Sequence, residues 1–167
     1  MKDARFVVGE KVVPLKAPVD SAGTAYATPY VDMKNALHAT FFYYAGVVTA
    51  TSADQAVVIT FEAATAAASA ANEVQIPFTY RKSGATGTDS WGDPTAAVAA
   101  TGYSYGTTDD GSMVMFDIDL AKLDSLLADA RFVRMVVGID GGGTVTLNAA
   151  WCVLDPRYPQ LSQLSAS

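Results

Sequence analysis

The sequence predicts an all-β fold, a single antiparallel β-sandwich with one short helix and an extended N-terminal arm. Three observations carry that expectation. Apolar residues recur at every second position through most ordered-looking segments, the period of a half-buried strand. Clusters of Gly, Asp and Ser separate those segments at fairly regular intervals, as turns do. Helical apolar spacing occurs in one place only, at Leu120, Leu123 and Leu127.

Residues 1–20 hold Pro14, Pro18 and the basic residues Lys2, Arg5, Lys11 and Lys16, a composition expected of an extended arm. Segments Phe6–Val13 and Ala25–Val31 add further strand candidates. Leu37–Ala45 reads as a strand with large rings on both faces. With Phe41 and Tyr43 toward the core, His38, Thr40, Phe42 and Tyr44 form the opposite face, to be covered by the arm or by a neighbouring molecule. Val57, Ile59, Phe61 and Ala63 alternate with Val58, Thr60 and Glu62. Val74, Ile76, Phe78 and Tyr80 repeat the pattern, with Pro77 marking an edge strand or a bulge.

Tyr103 and Tyr105 mark a weaker strand, and Val114, Phe116, Ile118 and Leu120 alternate with Met115, Asp117 and Asp119. Asp119 is placed to cap the short helix that follows, a crossing segment between two strands. Val133, Met135, Val137 and Ile139 then lead through Asp140-Gly141-Gly142-Gly143 to Val145, Leu147, Ala149, Trp151 and Val153. That pair reads as a β-hairpin, because Asp-Gly and Gly-Gly supply the positive φ of tight turns. Ala63–Ala71 is expected to be a loop and Ala96–Ala100 part of a strand, while Ser83–Gly92 and Gly106–Ser112 read as polar loops. About eight strands result, enough for a sandwich or barrel over residues 21–158, followed by a flexible tail over 159–167.

Composition narrows the function. A chain of 167 residues, half of them hydrophobic, fits one domain with one core. Charged residues make up 17%, below the roughly 25% of an average soluble protein, which fits a surface partly covered by partners. The net charge of −6 argues against nucleic acid and against anionic membranes, both of which call for a basic face. No stretch approaches the ~18 apolar residues of a membrane span, and Met1-Lys2-Asp3 leads into no signal-peptide core. Cys152, the single cysteine, excludes an intrachain disulfide and sits in an apolar run that predicts a buried, inert thiol.

Catalytic constellations are missing. His38 is the single histidine, inside a strand where a hydrogen-bonded structural role is expected, and no Gly-x-Ser-x-Gly elbow accompanies it. One histidine is too few for a cupin-like metal site, and a zinc site would need scattered carboxylates to complete it. The glycine run at 141–143 lacks the Lys-Ser/Thr of a phosphate loop. Asp109-Asp110-Gly111 resembles the opening of a calcium loop but lacks its spaced acids and closing Glu. Asp117 and Asp119 share one strand face without an opposed carboxylate, so solvated side chains are expected. No catalytic residue, metal or cofactor is therefore expected.

Several segments together resemble a known family. They are Ala17-Pro18-Val19-Asp20, the run Val31-Asp32-Met33-Lys34-Asn35-Ala36-Leu37-His38-Ala39-Thr40-Phe41, Ala45-Gly46, Phe78-Thr79-Tyr80-Arg81-Lys82-Ser83, Asp89-Ser90-Trp91-Gly92 and Asp117-Ile118-Asp119-Leu120. Their order and spacing resemble the small decoration (cement) and head structural proteins of tailed bacteriophages, over most of residues 17–155. The resemblance implies a jelly-roll-like sandwich, often a homotrimer, placed on the outer capsid surface after synthesis in the host cytoplasm. It implies the major capsid protein as partner and no catalytic residues.

The expected role is thus a virion structural protein that stabilises the capsid by bridging adjacent subunits. Arg5, Phe6, Val7 and Val8 of the arm, with Phe42, Tyr44 and Trp91, are the expected capsid or subunit contacts. Two alternatives stay open. One is a carbohydrate-binding module that stacks sugars on Trp91, Tyr103 and Tyr105. The other is a different virion part, such as a head fibre, connector or tail subunit.

Overall fold

The computed structural model describes residues 10–20, 24–49, 57–67, 72–84, 86–139, 144–145 and 147–157. It is an all-β structure of two large antiparallel sheets with one short α-helix. The first half of the chain supplies β1 (Lys11–Val19), β2 (Tyr26–Ala27), β3 (Val31–Asp32), β4 (Ala36–Ala45), β5 (Val48–Thr49), β6 (Val57–Ala64) and β7 (Val74–Ile76). The second supplies β8 (Phe78–Lys82), β9 (Thr95–Ala97), β10 (Tyr103–Tyr105) and β11 (Met113–Asp119). Helix α1 (Leu120–Leu126), β12 (Phe132–Ile139), β13 (Thr144–Val145) and β14 (Asn148–Pro156) complete it.

The first sheet has the order β1-β14-β4-β11-β8-β9. The second runs β10-β6-β12-β2, with β3 also on β12 and β7 on β6. A small ribbon pairs β5 with β13. Period-two alternation decides what each long strand buries. In β4, Ala39, Phe41, Tyr43 and Ala45 are buried while Thr40, Phe42 and Tyr44 are half-buried on the far side. Strands β11 and β12 bury Val114, Phe116, Ile118 and Val133, Met135, Val137 in the same way.

The two sheets face each other through aromatic rings. Phe61 of the second sheet lies edge-on to Phe41 and Phe78 of the first at 5.0 Å, and 5.3 Å from Phe116. Edge-to-face contacts of this kind add to the gain from burying ring area. Toward one end Tyr105 lies 5.6 Å from Tyr43, and Tyr103 lies 4.6 Å from Tyr80. Along one side the outer strands of the two sheets are tied by Asn148, which is 1% exposed. Its side chain accepts from Tyr26 Oη at 2.7 Å and donates to the Val19 carbonyl at 3.1 Å.

Three connections differ from the sequence expectation. Strands β12 and β14 are not a hairpin: β12 pairs with β6, β2 and β3 in the second sheet, and β14 with β4 and β1 in the first. Alternation tells a strand which side chains to bury but not which sheet to join, so a glycine-rich linker between two such strands was misread as their turn. Val74–Tyr80 is likewise two strands, β7 in the second sheet and β8 in the first. Pro77 stands between them, where a residue without an N–H costs neither ladder a hydrogen bond. The arm expected over 1–20 is, from Lys11 to Val19, an edge strand on β14. Pro14 and Pro18 in that edge cannot donate to an added strand, which discourages edge-to-edge pairing.

The expected helix forms as a crossing between β11 of the first sheet and β12 of the second. Asp119 accepts from the Ala121 N–H at 3.0 Å, the N-cap bond, and Leu123 is buried at 1% exposure. Gly102, with φ of +62°, leads into β10; a Cβ there would lie 2.4 Å from the Ile59 carbonyl, so close an approach requires glycine.

Two buried tyrosines make opposite predictions. Tyr43 Oη is buried with no hydrogen-bond partner among the described residues, whereas Tyr105 Oη lies 2.6 Å from the Asp109 carbonyl and 2.7 Å from that of Ser112. Tyr43→Phe is expected to leave stability unchanged or raise it, while Tyr105→Phe costs about 1–3 kcal/mol by stranding a buried acceptor. Urea unfolding of the two variants checks the contrast.

Candidate interaction surface

The side of the first sheet that faces away from the core carries a continuous apolar stripe. Register places Phe42 opposite Trp151 on β14 and Met115 on β11, and Tyr44 opposite Ala149 and Met113. Further out, Trp151 is opposite Pro14 and Val153 opposite Val12 on the edge strand. The Phe42 and Trp151 rings are stacked, 5.4 Å apart and 7° from parallel. Phe42, Tyr44, Met113, Met115, Trp151 and Val153 are all half-buried, and Val12 is 44% exposed. The arrangement follows from β4 and β14 being apolar at both parities, so that filling the core still leaves large side chains outside.

The outward side of the second sheet is built differently. Arg134 on β12 is opposite Glu62 on β6 and donates to it at 2.8 Å and to Glu73 at 3.0 Å. Its guanidinium also lies 4.7 Å from the centre of the Tyr30 ring, and the Tyr30 hydroxyl donates to Glu73. Burial and that bond to Glu73 push the Tyr30 phenol up to about 12. One sheet thus turns a polar network outward beside the half-buried Val58, Phe132 and Val136, the other rings and methionines.

Of the expected contacts, Phe42 and Tyr44 lie together on the stripe. Trp91 does not; it is 36% exposed in a loop, bridged to Ser83 beyond the end of β8. Arg5, Phe6, Val7 and Val8 lie outside the described residues, as do the glycine turn at 141–143 and the tail from 158 onward. Trp151 is the participant that sequence reasoning missed as an outward residue. The available signal was the small, burial-prone set Ala150 and Cys152 beside it, which fills the inward parity of β14.

Residues considered for chemistry are spoken for or scattered. His38 lies within β4 and is exposed, on the strand face expected to point away from the core, and register sets it opposite Asp119 and Asp155. Asp117 accepts from Thr40 Oγ1 at 2.9 Å, and Asp119 caps α1. The loop Asp109-Asp110-Gly111 is organised by protein groups. Asp109 pairs with Lys82 and accepts from the Gly106 N–H at 2.9 Å, and Asp110 accepts from the Val48 N–H at 2.8 Å. Tyr103 and Tyr105, the rings that the carbohydrate-binding alternative needs exposed, are 7% and 0% exposed, so neither presents a face to a ligand.

A recess of about 520 Å3 opens at the α1 end, lined by His38, Asp119, Leu120, Asp124, Arg131 and Arg157 among others. Among the described residues no group of three or more His, Cys, Asp or Glu side chains is placed to hold a metal ion. Among them, too, no helix is long and apolar enough to cross a membrane. Comparison with known proteins found no matching family model, no matching curated protein and no matching solved structure.

Cys152 points into the core, and burial pushes its thiol up to about 12. A disulfide reagent is expected to modify it only after denaturation. The folded thiol keeps its proton above the ~8.5 at which an unfolded thiol loses it. Stability contributed by this group is therefore complete below that pH and falls as pH rises from there toward 12. Reagent kinetics with and without denaturant, and alkaline unfolding of Cys152→Ala beside the parent, measure both effects.

Proposed function

We propose that this chain is a non-catalytic virion structural protein of jelly-roll fold that binds the outer surface of a bacteriophage capsid. In that role it bridges adjacent major capsid protein subunits, as decoration proteins do. The observation that carries the reading is the Phe42–Trp151 stack within an apolar stripe on one sheet, set against a self-satisfied polar network on the other. A stripe of half-buried rings and methionines on the outward side of a sheet is the kind of surface a protein partner covers.

The jelly-roll assignment is supported by nesting of the strand pairs. Strand β1 lies beside β14, β2 and β3 beside β12, β4 beside β11, and β6 beside β10. With the small β5–β13 ribbon set aside, the outermost strands pair with each other and the rest pair successively inward, the wrapping of a ribbon folded over on itself. Strands β7, β8 and β9 are then an insertion at the innermost turn, with β8 and β9 widening the first sheet.

The identity of the partner rests on the sequence resemblance to phage decoration proteins. The physics of the role is adhesion. Pressure inside a filled shell pulls subunits apart, and a domain bound across a seam adds contact that must be lost first. At about 25 cal/mol per Å2, each ~400 Å2 of apolar contact is worth ~10 kcal/mol before the costs of association. Trimerisation multiplies the effect, because a released foot remains tethered by the other two. Burial of Tyr103 and Tyr105 removes two of the three rings on which a carbohydrate-binding role depended.

Phe42→Thr keeps a strand-compatible side chain while removing the stack. It is expected to lower occupancy on shells lacking the protein about thirty-fold, a loss of about 2 kcal/mol, with the fold retained. Removal of residues 1–9, which stops short of β1, measures the separate contribution of Arg5–Val8. Undiminished occupancy of Phe42→Thr contradicts the role of the stripe.

A further inference from the structure

Among the described residues the outward side of the first sheet carries one arginine, and it stands in line with the apolar stripe. Register runs straight across five strands, from Arg81 on β8 through Met115, Phe42 and Trp151 to Pro14 on β1. Arg81 shares the outward side because its neighbours in the alternation point the other way: Phe78 is buried and Tyr80 packs on Tyr103. With strands about 4.8 Å apart, its backbone lies ~10 Å from that of Phe42 and ~14 Å from that of Trp151.

Arg81 is half-buried, yet among the described residues it has no hydrogen bond, ion pair or ring contact. Other cations of the fold are engaged. Lys82 pairs with Asp109, Arg131 with Asp32, and Arg134 with Glu62 and Glu73. Asp117, in the row next to Arg81, is turned to β4, where it accepts from Thr40 Oγ1 at 2.9 Å. Taking a guanidinium part-way out of water without a partner costs free energy that nothing in the described fold returns.

A guanidinium is a planar fork of N–H donors that matches a carboxylate or a phosphate. The layout of charge on this face separates the two. Asp117 lies in the next row, and Asp119 and Asp155 flank His38 in the row beyond. A polyanion laid over the stripe meets those carboxylates, whereas one acidic side chain set beside apolar groups meets Arg81 alone. Two copies of the chain, each with a net charge of −6, repel one another, which makes a second copy the poorer occupant.

We infer that Arg81 is the specificity-determining residue of the stripe, pairing with a carboxylate side chain of the protein that covers its rings and methionines. The inference rests on the shell-binding reading and adds the chemistry of the partner, an Asp or Glu about 10 Å from the apolar groups that cover Phe42. Closure of the apolar surfaces excludes water from the pair and strengthens it. A partner without the carboxylate leaves the guanidinium covered and unpaired, which is the larger penalty.

The test measures occupancy on shells lacking this protein for Arg81→Met, Arg81→Glu and, as a charge control on α1, Lys122→Met. Methionine keeps an apolar stem beside Met115 and removes the fork. Arg81→Met is expected to lose occupancy about tenfold and Arg81→Glu several-fold more, with Lys122→Met at the parent level. Binding of the parent is expected to weaken with salt more steeply than that of Arg81→Met, a comparison that holds even where a variant melts lower. Parent-level occupancy of Arg81→Met, an Arg81→Glu no worse than Arg81→Met, an equal loss in Lys122→Met, or equal salt dependence overturns the inference and leaves the shell-binding reading standing. Failure of the parent chain to bind shells overturns both. Self-association of the parent in sedimentation that Arg81→Glu abolishes, or retention on phosphatidylserine vesicles that Arg81→Met abolishes, assigns Arg81 to another occupant and overturns the inference.

Discussion

Phe61 meets Phe41, Phe78 and Phe116 between the two sheets, and the placement of nearly everything else follows from that contact. Because the rings must interlock, β4, β8 and β11 of one sheet have a fixed parity against β6 of the other. Shifting any of them by one residue would turn its rings out to water. Once Phe41 and Tyr43 are committed inward, Phe42 and Tyr44 are committed outward. The stripe proposed for binding is in this sense a by-product of core packing that the other described residues leave half-buried.

What the chain does with the two outward faces differs. On the second sheet, Arg134, Glu62, Glu73 and Tyr30 satisfy one another, leaving little for a partner to gain. On the first, the stack of Phe42 and Trp151 and the flanking methionines have polarizable surface still in contact with water. Methionine adapts to irregular partner surfaces, and stacked rings hold their shape at little entropic cost, a combination suited to adhesion. No comparable concentration of chemistry exists among the described residues. Asp109 and Asp110 hold loops, Asp117 accepts across the β4–β11 pair from Thr40, and Asp119 caps α1.

Long alternating segments were legible from sequence. β4, β6 and β11 lie where alternation put them, and Asp119 caps α1 as its position before three spaced leucines implied. Connectivity was not legible. β12 and β14 bury alternate residues whichever sheet they join, and Pro77 signals a break without saying that the chain changes layers. The sequence Tyr103-Ser104-Tyr105 leaves the two rings free to be buried or, as the carbohydrate alternative needs, exposed, because a small polar spacer suits either; the facing β4 strand decides it. Half of the candidate surface, Phe42 and Tyr44, was visible from the parity of one strand. Trp151 was not, since its outward orientation depends on which parity of β14 the core accepts.

The central claim is that the outward face of the first sheet is where this molecule meets another protein. Hydroxyl-radical footprinting of the chain free and bound to shells reads that face directly, because Met113, Met115 and Trp151 on it are readily oxidised. Protection of all three on binding, with Trp91 oxidised as in the free chain, is the predicted result. Unchanged oxidation of Met113, Met115 and Trp151 in a chain that remains bound would contradict the account.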